Sequence, residues 1–78
     1  MGKEHWLSHN QKPTPIIERD LDQETRLVIR HRVGASQARK RYVATVRYIH
    51  PPVPGQYVVL HRYGSTPEEA ERRVLSDL

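Results

Sequence analysis

Between residues 50 and 55 the chain reads His-Pro-Pro-Val-Pro-Gly, and this proline cluster limits the fold more than any other feature. Proline lacks an N–H and fixes φ, so the segment belongs inside neither a helix nor a paired strand. Gly55 is free to take a positive φ and turn the chain. On either side, Arg41–Ile49 (Arg-Tyr-Val-Ala-Thr-Val-Arg-Tyr-Ile) and Gln56–Tyr63 alternate with the two-residue period of strands. Two such segments joined by a stiff loop make a hairpin.

Two further elements frame it. Thr25–Arg32 is rich in β-branched residues and alternates, which predicts another strand, and Val33–Lys40 holds Gly34, Ala35 and Ser36 and predicts a loop. Thr66-Pro67-Glu68-Glu69 marks a helix start, with a hydroxyl at the N-cap, Pro at the first position and Glu at the third. Ala70, Val74 and Leu78, with Leu75 beside them, form the apolar stripe that a sheet would cover. Residues 1–24 show neither period; Pro13 and Pro15 and scattered charges predict a flexible N-terminal arm. The expected architecture is therefore α+β: a three-stranded antiparallel sheet packed on one C-terminal helix (βββα) over residues 25–78, preceded by the arm.

The chain has 78 residues and no Cys, so neither disulfides nor thiolate metal ligation staple it. No apolar run approaches a bilayer's thickness and the polar first residues do not resemble a signal peptide, so the expectation is a cytoplasmic protein with no membrane partner. Trp6 and the Ile16-Ile17 pair stand out in the arm as apolar groups, and Trp6 is a candidate anchor, either onto a partner or back onto the domain.

The formal net charge of +4 conceals a segregation. Residues 25–64 hold Arg26, Arg30, Arg32, Arg39, Lys40, Arg41, Arg47 and Arg62 and no Asp or Glu, whereas both flanking segments are net acidic. Such a stretch repels itself. Either the flanking acids fold back over it or an anionic partner uses it.

Alternation assigns Leu27, Ile29 and His31, then Tyr42, Ala44, Val46 and Tyr48, then Tyr57, Val59, His61 and Tyr63 to the face under the helix. The opposite face is expected to be open, carrying Arg26, Arg30, Arg47 and Arg62 among Val28, Val43, Ile49, Val58 and Leu60; these aliphatics would equally suit a face covered by the arm through Trp6 or Ile16-Ile17. Reversing the faces would instead expose Tyr42, Tyr48, Tyr57 and Tyr63 as stacking platforms for bases, although aromatic stripes are more often core. Arg39-Lys40-Arg41 in the loop suit phosphate contacts. All eight cations are candidate binding residues, for nucleic acid, with duplex DNA the expected form, or for a partner protein's acidic surface. Charged side chains that merely solvate a sheet and block edge pairing are the bland alternative.

Arg41-Tyr-Val-Ala-Thr-Val-Arg47, the hairpin, Tyr57-Val-Val-Leu60 and Gly64-Ser-Thr-Pro-Glu-Glu-Ala70 together resemble the three-stranded-sheet DNA-binding domains of the AP2 and tyrosine-integrase N-terminal type. The resemblance covers about half the chain; that family's strand tryptophans have no counterpart here. It implies a sheet that enters the major groove, with Arg30, Arg32, Arg41, Arg47 and Arg62 as contacting positions.

A rival class is the small phage-type protein that binds and inhibits a host protein such as RNA polymerase; Arg and Trp are favoured at such interfaces. An enzyme is not expected, since His31, His50 and His61 have no carboxylate within their acid-free segment and no nucleophile or phosphate-loop pattern is present. No cofactor and no metal are expected: His5 and His9 stand four apart without a third ligand nearby. Monomer and homodimer are both compatible with an edge strand.

Overall fold

The computed structural model describes residues 15–78. Within them a four-stranded antiparallel meander, ordered β1-β2-β3-β4, is followed by one helix. β1 is Ile17–Asp20, β2 Thr25–His31, β3 Tyr42–Tyr48, β4 Val58–Gly64 and α1 Pro67–Ser76. A single 3-10 turn, Ala38–Lys40, interrupts the β2–β3 connection. Among the described residues no helix is long and apolar enough to cross a membrane.

The sheet has four strands, against the three expected, because β1 lies inside the segment read as an arm. Ile17 pairs with Ile29 and Arg19 with Leu27 across β2. The β1–β2 turn is held by Asp22, whose Oδ1 accepts from the Glu24 and Thr25 amides, both at 2.8 Å, and from the Thr25 hydroxyl at 2.9 Å. This is an Asx-type turn, the local bonding that suits Asp to chain reversals. Those donors hold the Asp22 carboxyl below its ordinary pKa, the Glu24 amide first. Trp6, His5 and His9 lie outside the described residues, as does the rest of the arm up to residue 14.

The helix begins as its sequence requires. Thr66 is the N-cap and its hydroxyl accepts from the Glu69 amide at 3.1 Å. Glu69 reaches back past the cap to Ser65, accepting from its amide at 2.6 Å and its hydroxyl at 2.7 Å. Those two bonds depress the Glu69 pKa. Ala70 and Val74 are fully buried. Leu78, expected in the same stripe, lies beyond the last helical turn and is exposed.

One layer of core lies between α1 and the sheet: Leu27 and Ile29 of β2, Ala44 and Val46 of β3, and Ala70 and Val74, with Ile17, Leu21, Tyr42, Leu60 and Leu75 packed against them. The register corrects the expected faces of the last strand. Leu60, Arg62 and Gly64 stand opposite Val46, Ala44 and Tyr42, on the helix side. His61 and Tyr63 stand opposite Thr45 and Val43, on the side away from it. Both parities of Tyr57–Tyr63 carry apolar residues, so alternation alone leaves the phase open. The helix sets it. A Cβ on Gly64 would stand 2.5 Å from the Ala70 amide nitrogen, so only glycine lets β4 pass this close under α1. A register irregularity between Val46 and Arg47, which brings Val58 opposite Arg47, absorbs the resulting shift in the hairpin.

Candidate nucleic-acid interface

The face away from α1 is not the open, uniformly basic sheet the pattern implied. At its centre Val28 is only 1% exposed. Leu60 has moved to the core side, Val43 and Ile49 are half-buried, and the exposed aliphatic positions are Val58, with the neighbouring Val59.

The eight candidate cations fall into distinct groups. Arg26 and Arg47 are direct cross-strand partners on β2 and β3, an arrangement that is repulsive when unrelieved. Arg26 is relieved by β1: its Nε donates to Asp20 at 2.7 Å and its guanidinium lies 3.6 Å from Glu18. The Asp20 bond comes first among the causes that raise the Arg26 pKa. Arg47 lies 6.0 Å from the Tyr57 ring centroid. A shallow cleft of about 200 Å³ opens here between Glu18, Arg26, Arg47, Tyr48 and Ile49.

Arg62 is displaced altogether. It lies on the helix side, where its Nε donates to Asp77 at 2.7 Å and its Nη1 to the His61 carbonyl at 2.7 Å. The cause is the phase of β4 set by Gly64. Its expected place on the outer face, beside Arg26 and Arg47, is not where the fold puts it.

Arg32, Arg39, Lys40 and Arg41 are brought together. The connection from β2 to β3 is closed by the Arg32 amide donating to the Arg41 carbonyl at 2.8 Å. Gly34 turns the chain at φ +81°, with the Ala35 amide bonding the Arg32 carbonyl at 3.2 Å. The 3-10 turn then packs Arg39, Lys40 and Arg41 into consecutive exposed positions. Arg32 Nη1 donates to the Lys40 carbonyl at 3.2 Å, and the Arg32 guanidinium lies 4.9 Å from the centroid of the Tyr63 ring. The Lys40 ammonium lies 5.4 Å from the same centroid. Among the described residues no carboxylate forms an ion pair with any of these four cations. Arg30 shares their face one strand over, opposite Val43, which in turn stands opposite Tyr63.

Acids instead pair with arginines elsewhere: Arg19 with Glu71 at 2.6 Å, Arg26 with Asp20, Arg62 with Asp77, and Arg73 with Glu69 at 3.1 Å. Alternation placed Tyr63 in the core, and only the reversed assignment of faces set it outside as a stacking ring; the signal that could have decided between them was Gly64, two residues before the helix cap.

No family model matches this chain, and neither a curated protein nor a solved structure matches it.

Proposed function

We propose that the protein is a small non-enzymatic module that binds nucleic acid through the basic end of its sheet, formed by Arg32, Arg39, Lys40 and Arg41 with Arg30 alongside. One observation carries this reading. Among the described residues carboxylates pair with Arg19, Arg26, Arg62 and Arg73, yet none ion-pairs any of the four cations gathered in the β2–β3 connection; Arg47 and Arg72, also without an ion-paired carboxylate, stand apart from that group. Phosphate contact is the common use of clustered, solvent-facing Arg and Lys, and it yields affinity without base specificity.

The test is fluorescence anisotropy of a labelled oligonucleotide across a salt series. Four phosphate contacts give a log–log salt slope of about −3. Replacing Arg39, Lys40 and Arg41 together by Gln, all at exposed positions, should bring that slope to about −1. Arg62→Gln on the helix side should leave it unchanged. A slope that ignores the triple substitution refutes the assignment.

A protein partner is the second reading, favoured by one feature at the other end of β4. Tyr57, Val58 and Val59 are consecutive and 39–50% exposed. Binding centred there would depend weakly on salt and would survive the triple substitution.

A further inference from the structure

Resting on the nucleic-acid reading, we infer that the basic end is built for an unpaired strand, with Tyr63 as a stacking platform and Arg32 and Lys40 as a phosphate clamp beside it.

The two cations converge on one ring. Their distances of 4.9 and 5.4 Å from its centroid put them within about 10 Å of each other, no more than a Debye length at 0.1 M salt. One cation over an aromatic ring satisfies its quadrupole. A second, with no carboxylate ion-paired to either among the described residues, adds like-charge repulsion that an internal role does not require. A phosphate placed between them relieves it.

The ring's surroundings suit a base. Tyr63 is half-buried on β4, an edge strand that pairs on one side only among the described residues. His61, two residues back on the same face, meets its ring edge-on at 5.5 Å, so a second aromatic group borders the platform. Aromatic rings interleaved with Arg on a sheet surface are how unpaired bases are held, because each base presents a π-face once it leaves the helical stack. In a duplex those faces are already stacked on one another, and Tyr63 would have nothing to receive.

Charge on the rest of the face also disfavours a duplex. Glu18 and Asp20 project from β1 beside Arg26 on this same side. A duplex laid flat across the strands would bring phosphates against these carboxylates. A single strand can follow the basic end alone, from Arg39 and Arg41 past Lys40 to Tyr63.

The test uses the full chain and labelled dT12, rU12, a 12-base-pair duplex and a twelve-unit abasic strand, all at one salt concentration. The expected result is tighter binding to dT12 or rU12 than to the duplex, the better of the two naming the sugar. The abasic strand should bind about 5- to 150-fold more weakly than its base-bearing counterpart, the loss that one stacked base accounts for. Tyr63→Leu, which keeps apolar bulk, should produce a similar loss on the base-bearing strand and none on the abasic one; Tyr63→Phe should bind like the parent. Equal binding of abasic and base-bearing strands overturns the stacking role, and a duplex bound as tightly as the single strands overturns the preference. In both of those cases a salt slope that falls on substituting the loop cations leaves the nucleic-acid reading standing. Binding to none of the four probes overturns both.

Discussion

Replacing Gly64 by Ala tests the contact that sets the face of β4. An added Cβ would sit 2.5 Å from the Ala70 amide nitrogen, 3.0 Å from the Ala70 Cα and 3.0 Å from the Glu69 carbonyl carbon. All three are main-chain atoms of α1, so no side-chain rotation makes room. Comfortable non-bonded contact needs roughly 3.5 Å, and recovering it means moving the helix by about 1 Å off a core with Ala70 and Val74 at its centre. Overpacking of this kind costs about 1–3 kcal/mol. The loss of glycine's freedom in the unfolded chain returns about 0.4–1 kcal/mol. The net is about 1–2 kcal/mol, a large fraction of what a domain of this size possesses. With a urea m-value of about 1 kcal/mol/M for a small protein, the unfolding midpoint should fall by about 1–2 M, followed by far-UV circular dichroism. Adding Ala70→Gly removes a methyl that is not the obstacle, so it should not restore the midpoint. A midpoint that holds or rises in Gly64→Ala refutes the steric argument, and so does recovery in the double variant.

Other expectations follow from the same contacts. Leu27 is fully buried in the core layer, and Leu27→Ala should lower stability by about 2–5 kcal/mol in the same urea assay. Thr66→Ala removes the hydroxyl that caps α1 and should cost about 1 kcal/mol. Gly34→Ala meets no atom within 4 Å but must adopt φ +81°, so its cost is conformational and Gly34→Asn should recover most of it. Asp22 and Glu69 are both held below their ordinary values of 3.8 and 4.5 by bonds from neighbouring amides and hydroxyls. The unfolded chain therefore binds these protons more readily than the folded one. Their stabilisation is complete above about pH 4.5 and is lost as pH falls through the folded values. Urea midpoints measured between pH 5 and pH 2.5 should decline, and Asp22→Asn with Glu69→Gln should flatten that decline.

Hydrophobic period and punctuation made the α+β class, the order of the last three strands and the helix legible in the sequence. The prolines of the β3–β4 loop and the Thr66-Pro67 cap are local rules that tertiary context did not override. β1 was illegible for a specific reason. Ile17–Asp20 is Ile-Glu-Arg-Asp, in which the second residue facing α1 is Arg19, bound to Glu71 on the helix. A charged residue at an inward position breaks the apolar alternation that marks a strand, and only the helix acid explains it. The turn that makes β1 possible, held by Asp22, was equally hidden in a run of charges. At the candidate site, the loop between two strands was legible, and with it the place of Arg39, Lys40 and Arg41. Arg62 and Tyr63 were each assigned to the wrong side, because a one-residue change of phase exchanges every side chain of a strand. That phase depends on Gly64 and on the irregularity at Val46/Arg47, neither of which alternation can express.

The ion pairs have a consequence beyond their own strength. All four principal pairs are solvent-facing, with side chains 23–55% exposed, and pairs of that kind contribute little to stability. Their larger effect is on the field. Each places a carboxylate against Arg19, Arg26, Arg62 or Arg73, in β1, β2, β4 or α1, and among the described residues none stands against the β2–β3 connection. Charge distributed in this way is not a uniform coat: among the described residues Arg32, Arg39, Lys40 and Arg41 gather four cations without an ion-paired carboxylate at one pole, while Arg47 and Arg72, also without an ion pair, stand singly elsewhere. An approaching polyanion is drawn to that pole first, at a rate that falls with ionic strength. Reversing the asymmetry should then slow association before it weakens anything else. Ser36→Glu with Gln37→Glu puts two acids at exposed positions in the connection without touching the sheet. Stopped-flow binding to a labelled oligonucleotide should show a lower association rate at low salt, with parent and variant converging as salt screens the field. Equal association rates at low salt would mean that the unpaired cations do not steer the encounter, and the charge argument for this end of the fold would fail with them.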